Sequence, residues 1–451
     1  MIPSERIYFT IFADEKVGLA DQMSQFGAFY KLGVALGFTY QHTAFHSPRS
    51  GPVSRCKMLS ALIGSYLGMT PRFLPANAWA SFPSRARPTH DAFEFLGFND
   101  IFAGLSLTNR RKALRAKEIR LLLSGDFLER NQIAGLDDLE WWIRASVAAN
   151  KSQSPPVRVI FQLGWGARYL LREIHFRYPY PQDGLDLYQC YLDTRRRRPW
   201  PSLFEPDRLK LVIHIRQGDT ATLQTPWGTW MSLWWFSRHR FKQYPTFEDL
   251  CELEKHAPPI RPADVLGFLE GLHSYCGPDL FSTLVFSDGY ARASVVLKQA
   301  YRSDKLSARD ARALMRTMPD YEKQSFAPFN ALPGTRQMIG ESRSSLYHLI
   351  HSVLTCDIAV FTTQQQMIPG LLLAYGARTS PFLICLYRGR FKIPDFYDPP
   401  AWFGNRYMSV DIDCPDYDAL LKGLREHLSN KWTLRRPSVA SSEAGIIPSV
   451  P

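Results

Sequence analysis

His214, Arg216, Gly218 and Asp219 fall in one short stretch, His214-Ile215-Arg216-Gln217-Gly218-Asp219, which ends an apolar run that begins at Leu209. Side chains alternate along a strand, so His214 and Arg216 share a face. A planar guanidinium there can hold a phosphate through two parallel hydrogen bonds. Gly218 lets the backbone turn sharply or approach a ligand closely. The chemistry is anion binding at the carboxyl end of a strand, where open α/β sheets take their ligands. Spacing alone fits a strand edge with a surface arginine and a Gly-Asp turn equally well.

Two later stretches have the same form. Thr283-Leu284-Val285-Phe286-Ser287-Asp288-Gly289 is a second apolar run with a polar end. After a strand-like stretch closing at Gly340-Glu341-Ser342 and a helix over 344–354 comes Cys356-Asp357, a short strand, and Thr362-Thr363-Gln364 ahead of a helix over 367–375. Hydroxyls and free N–H groups at a helix start suit an anion; plain capping is the other reading. Near the chain start, a strand at 7–12 leads through Gly18 and Gln22 into a helical pattern ending at Leu36, then a strand at 38–40. Trp227, Trp230, Trp234 and Trp235 lie in a loop after the first stretch. They suit stacking on a sugar, or plugging a core.

The elements between are read from periodicity. Residues 51–149 look largely helical, for example 60–67 and 137–143. A polar break at 151–156 precedes a strand at 157–161. The arginine run 195–198 reads as a solvated linker, and a domain boundary falls near Pro199-Trp200-Pro201. A helix begins at Pro262, late strands cover 381–386 and 408–412, and a helix covers 416–428. Asp411-Ile412-Asp413 has the look of an Asp-x-Asp metal motif, but its place just before a helix makes it a strand end and cap. No metal is expected.

The length of 451 residues fits two domains. Net charge is +12, which favours a phosphorylated partner or an anionic membrane surface; no nucleic-acid module is visible. The 7 cysteines include no CxxC pair, so a reducing compartment is the simplest reading. No leader pattern and no apolar run near the roughly 20 residues of a spanning helix is found. The expectation is a cytoplasmic protein, or a peripheral one at the membrane surface.

The motif at 214–219 resembles the His-x-Arg-x-Gly/Thr-Asp/Asn signature of the fucosyltransferase superfamily, which includes α-1,2-, α-1,6- and protein O-fucosyltransferases. The stretches ending at Asp288 and at Thr362-Thr363 resemble its second and third motifs, with Thr-Thr in place of Ser-Ser. Gly18-Leu19-Ala20-Asp21-Gln22-Met23 resembles the opening Gly-x-Gly-Asn-Gln-Met segment, with Ala20-Asp21 where Gly-Asn is usual.

The resemblance implies an α/β fold with two Rossmann-like domains facing a cleft, the GT-B type. It implies an acceptor-side domain at 1–199 and a donor domain at 200–432; the Ser/Pro-rich composition that follows makes 433–451 an expected disordered tail. The activity implied is inverting, metal-independent transfer of fucose from GDP-fucose to a hydroxyl of a glycan or glycoconjugate. Donor contacts would come from His214, Arg216, Gly218, Asp288, Thr362, Thr363 and Gln364. Arg216 would stabilise the leaving diphosphate, with Asp219 and Glu341 as candidate bases. Gly18, Gln22, Trp227 and Trp230 would lie on the acceptor side. A GT-B enzyme with another nucleotide sugar, or a non-catalytic basic binding protein, fits the same stretches.

Overall fold

The structure is a computed structural model. It describes residues 7–11, 19–40, 117–151, 157–164, 167, 169–178, 187–217, 222–224, 230–232, 260–290, 293–302, 307–340, 343–362, 368–369, 372, 381–388 and 403–434.

Two parallel sheets dominate. The first contains β1 (Tyr8–Ile11), β2 (Thr39–Tyr40), β3 (Lys117–Leu123) and β4 (Val157–Leu163), in the order β2-β1-β4-β3. Its helices are α1 (Leu19–Ala35), α2 (Gly125–Arg130), α3 (Leu136–Lys151) and α4 (Tyr169–Arg177). On α3 the buried residues Leu136, Leu139, Ile143 and Val147 recur at helical spacing. Residues of α1, α3 and α4 share one buried cluster with Phe9, Val159 and Phe161. Crossovers from β1 to β2 and from β3 to β4 run in the same direction. Right-handed connections therefore lay α1 and α3 on the same face. Phe29 stacks on Phe161 with ring centroids 5.2 Å apart. Gly33 makes room for Phe9, whose ring a Cβ would meet at 2.5 Å.

β3 corrects the expectation of a largely helical 51–149. Lys, Glu, Arg and Leu are good helix formers, which hid the strand. Their alternation is that of an edge strand: Leu121 and Leu123 are buried, whereas Glu118, Arg120 and Leu122 are exposed. The expected helix at 60–67 lies outside the described residues.

α5 (Leu187–Arg197) leads from the first sheet to the second. Arg195, Arg196 and Arg197 form its last turn, where cations oppose the helix dipole. The arginine run is thus a helix end, not a linker.

The second sheet has β5 (Leu209–His214), β8 (Phe281–Ser287), β9 (Thr335–Ile339), β10 (Ile358–Thr362), β11 (Phe382–Tyr387) and β12 (Tyr407–Asp411). Their spatial order is β12-β11-β10-β5-β8-β9, and every neighbouring pair is parallel. Counted along the chain from β5, this is the order 3-2-1-4-5-6 of a doubly wound sheet. The crossover direction reverses between β5 and β10, which are hydrogen-bonded neighbours.

Helices cover both faces of this sheet. α6 (Pro262–Cys276), α7 (Ala293–Arg302), α8 (Ala308–Phe326) and α10 (Tyr417–Leu434) share a cluster with Leu211, Ile213, Val285 and Val360. α9 (Arg343–Thr355) lies on the other face with Val212, Leu284, Phe286, Ala359 and Phe361, in the cluster that also holds the first sheet's core. The near-continuous apolar strands follow from burial on both faces. A small antiparallel ribbon pairs β6 (Thr222–Gln224) with β7 (Trp230–Ser232). Trp230 therefore belongs to a strand rather than the expected loop. Among the described residues, no helix is long and apolar enough to cross a membrane.

Candidate functional site

The carboxyl ends of β5, β8 and β10 lie side by side. His214 pairs with Phe286 on β8 and with Phe361 on β10. The ladder runs one residue further, with Ile215 N donating to Phe286 O at 2.9 Å. Arg216 and Asp288 come next on the two neighbouring chains, and Thr362 ends β10. Three stretches distant in sequence thus meet at the point where strand order reverses. Ligands of open α/β sheets bind there, outside the carboxyl ends of the strands.

His214 is buried, 6% exposed, and Arg216 is half-buried. His214 Nε2 lies 3.2 Å from Asp288 Oδ1. Both residues follow the parity of Val212, Leu284 and Phe286, and so stand on the α9 side of the sheet. Thr362 shares parity with Ile358 and Val360 and belongs to the opposite side. Together they bracket the edge from both faces.

The turn carrying Asp288 is built from its neighbours. Ser287 Oγ accepts from Gly289 N at 3.1 Å. Gly289 has φ +67°, the left-handed region that glycine tolerates. Glu322, reaching over from α8, accepts from Tyr290 N. Neither Glu322 nor the His214–Asp288 contact is visible in sequence: a lone glutamate on an amphipathic helix looks like a solvated residue. The pairing needs strand adjacency, which sequence does not carry.

A second polar group lies at the same end of the sheet, beyond β11. Arg388 follows that strand, and its Nε lies 2.9 Å from each carboxylate oxygen of Asp413. Its Nη1 reaches Asp264 Oδ2 at 3.3 Å. Arg261, the N-cap of α6, donates from Nε to the same carboxylate at 3.0 Å. Burial pushes the Asp264 carboxyl up, but Arg261 and Arg388 outweigh it and hold it below the usual carboxylate range. Asp411 Oδ1 accepts from Asp413 N at 3.1 Å. The Asp411-Ile412-Asp413 segment is thus a strand end whose second carboxylate is taken by an arginine.

At the opposite end of the sheet, buried Asp357 closes the β5–β10 pair. Its Oδ2 accepts from Lys210 N, and its own N–H donates to Lys210 O, both at 2.9 Å.

Gln22 lies on α1 and Trp230 on β7, with their side chains outside the description. Gly18, Gly218, Asp219, Trp227, Glu341, Thr363 and Gln364 are outside the described residues. The structure therefore brings together His214, Arg216, Asp288 and Thr362 from the expected set.

No family model and no curated protein sequence matches this chain. Among solved structures, it is similar to a mutant of Arabidopsis thaliana FUT1 in complex with GDP. That likeness covers 87% of this chain and 74% of the other, at 10% identity and a TM-score of 0.31.

Proposed function

We propose that this chain is a glycosyltransferase that transfers fucose from GDP-fucose to a hydroxyl of a glycan or glycoconjugate, with inversion. One observation carries the reading: His214, Arg216, Asp288 and Thr362 end or follow neighbouring parallel strands at the switch point of a 3-2-1-4-5-6 sheet. A nucleoside diphosphate at such a point meets strand ends and helix starts. As the glycosidic bond breaks, negative charge grows on the leaving diphosphate. A guanidinium held there stabilises that charge where it develops. Arg216 takes this role, and Thr362, Thr363 and Gln364 supply donors from the next strand end. Asp219 and Glu341 are the carboxylates proposed for receiving the acceptor proton.

In this reading residues 200–432 bind the donor and 1–199 the acceptor, with Gly18, Gln22, Trp227 and Trp230 on the acceptor side. An arginine in the leaving-group role makes a metal unnecessary, so turnover should survive chelation.

The test is nucleotide release by purified protein from GDP-fucose, GDP-mannose and UDP-sugars, with and without chelator. The expected result is turnover of GDP-fucose in both conditions. Preference for a UDP-sugar would move the assignment to another donor. Loss in chelator, restored by magnesium or manganese, would overturn the metal-free mechanism. Absence of turnover with every donor would leave a binding protein.

A further inference from the structure

We infer that Asp288 is a positioning residue: it acts through His214, holding the imidazole in one tautomer and one orientation beside Arg216. The inference rests on the donor-site reading above and adds to it a function for two of its residues.

The geometry has three parts. First, a carboxylate at neutral pH only accepts hydrogen bonds. An Asp288 oxygen 3.2 Å from His214 Nε2 is within hydrogen-bonding distance and selects the tautomer with its proton on Nε2. Second, the imidazole is buried, with 8% of its side chain exposed, whereas the carboxylate is 21% exposed. The pair thus runs from the interior to the rim of the sheet edge.

Third, Asp288 is itself held in place. Ser287 Oγ takes the Gly289 N–H, Glu322 takes the Tyr290 N–H, and a Cβ on Gly289 would come within 2.6 Å of Glu322 Oε2. The backbone on the far side of Asp288 is pinned by its own turn and by α8. Tyr290 is buried against Phe326 of α8, with ring centroids 6.4 Å apart. A turn pinned by α8 thus carries the carboxylate that meets the imidazole at the end of β5, two residues before Arg216.

A carboxylate that merely read the nucleoside would need no such partner. A carboxylate that orients a histidine needs this one. The two roles separate by experiment. In ligand-free protein at pH 8, long-range proton–nitrogen NMR should show His214 as the Nε2–H tautomer, and Asp288→Ala should convert it to a mixture. In transfer assays Asp288→Ala should lower kcat/KM on the order of 10–100-fold, and should weaken GDP and UDP equally. His214→Ala should cause a similar loss, and the double variant should be no worse than either single one, because the two act as a unit.

A His214 tautomer unaffected by Asp288→Ala would overturn the inference. So would additive losses, or a loss confined to GDP. If wild-type protein turned over no nucleotide sugar, the proposed function would fall, while the tautomer measurement would still decide the coupling.

Discussion

The two sheets are both parallel and both layered with helices, yet they place their buried polar groups differently. In the second, polar side chains gather where β5, β8 and β10 end. In the first, a buried polar pair lies in the helix layer: Lys31 Nζ of α1 is 3.3 Å from His175 Nδ1 of α4, and His175 Nε2 is 3.2 Å from Ser24 O. Burial lowers Lys31 to about 8. Burial, then Lys31 itself, holds His175 well below its ordinary value. Such a pair spends stability on fixing how two helices meet. The polar groups of the second sheet surround a strand-order reversal, where a ligand can reach them. The difference separates polar residues that organise a core from those gathered at a strand-order reversal.

That contrast can be tested where the two halves join. Tyr191 OH of α5 lies 2.7 Å from His351 Nδ1 of α9, and Trp200 Nε1 donates to His348 Nδ1 at 3.1 Å. Burial, with Arg195, His348 and Lys210 adding to it, brings His351 down from 6.5 to about 4. A histidine with a depressed folded pKa stays neutral while the unfolded chain takes up its proton. Its stabilisation is complete above pH 6.5 and is lost as the pH falls towards 4. The loss should approach about 3 kcal/mol. Urea unfolding across that window should show it in wild type and not in His351→Gln. An unchanged pH dependence in the variant would remove His351 from the joint.

A smaller effect is expected at the rim of the second sheet. Gly289→Ala forces a side chain into a left-handed conformation and against Glu322, which should cost about 1–3 kcal/mol. Because it displaces Asp288, it should also weaken nucleotide binding. Intact affinity in a destabilised Gly289→Ala protein would show that this turn does not shape the site.

The smallest effect belongs to the first sheet. Lys31→Met removes a buried charge at similar volume, but leaves His175 without that donor. The variant should gain about 1 kcal/mol at pH 7, with nucleotide affinity unchanged. A drop in affinity would erase the distinction between the two sheets.

Much of this was legible in the sequence. The strands β5, β8 and β10 are apolar runs that stop abruptly at His214, Asp288 and Thr362, and that pattern survives without tertiary knowledge. The late strands and the helices from Pro262 and around 344–354 were legible for the same reason. Adjacency was not: nothing local says that β10, late in the chain, pairs beside β5. The His214–Asp288 contact, the reach of Glu322 and the binding of Asp413 by Arg388 all depend on it. β3 was hidden because an edge strand of helix-forming residues has only half its face buried. The pairing of Lys31 with His175 was hidden because one lysine on an apolar helix gives no sign of which helix lies opposite.

Arg216, at the β5–β10 switch point, is proposed to hold the diphosphate of a nucleotide-sugar donor. Calorimetry with GDP on wild type and Arg216→Ala tests it most directly, with circular dichroism confirming that both are folded. Clear GDP binding by wild type is expected, with a loss on the order of 100-fold in Arg216→Ala, because a charge-assisted contact with phosphate is removed. Equal GDP affinity in the two folded proteins would contradict it.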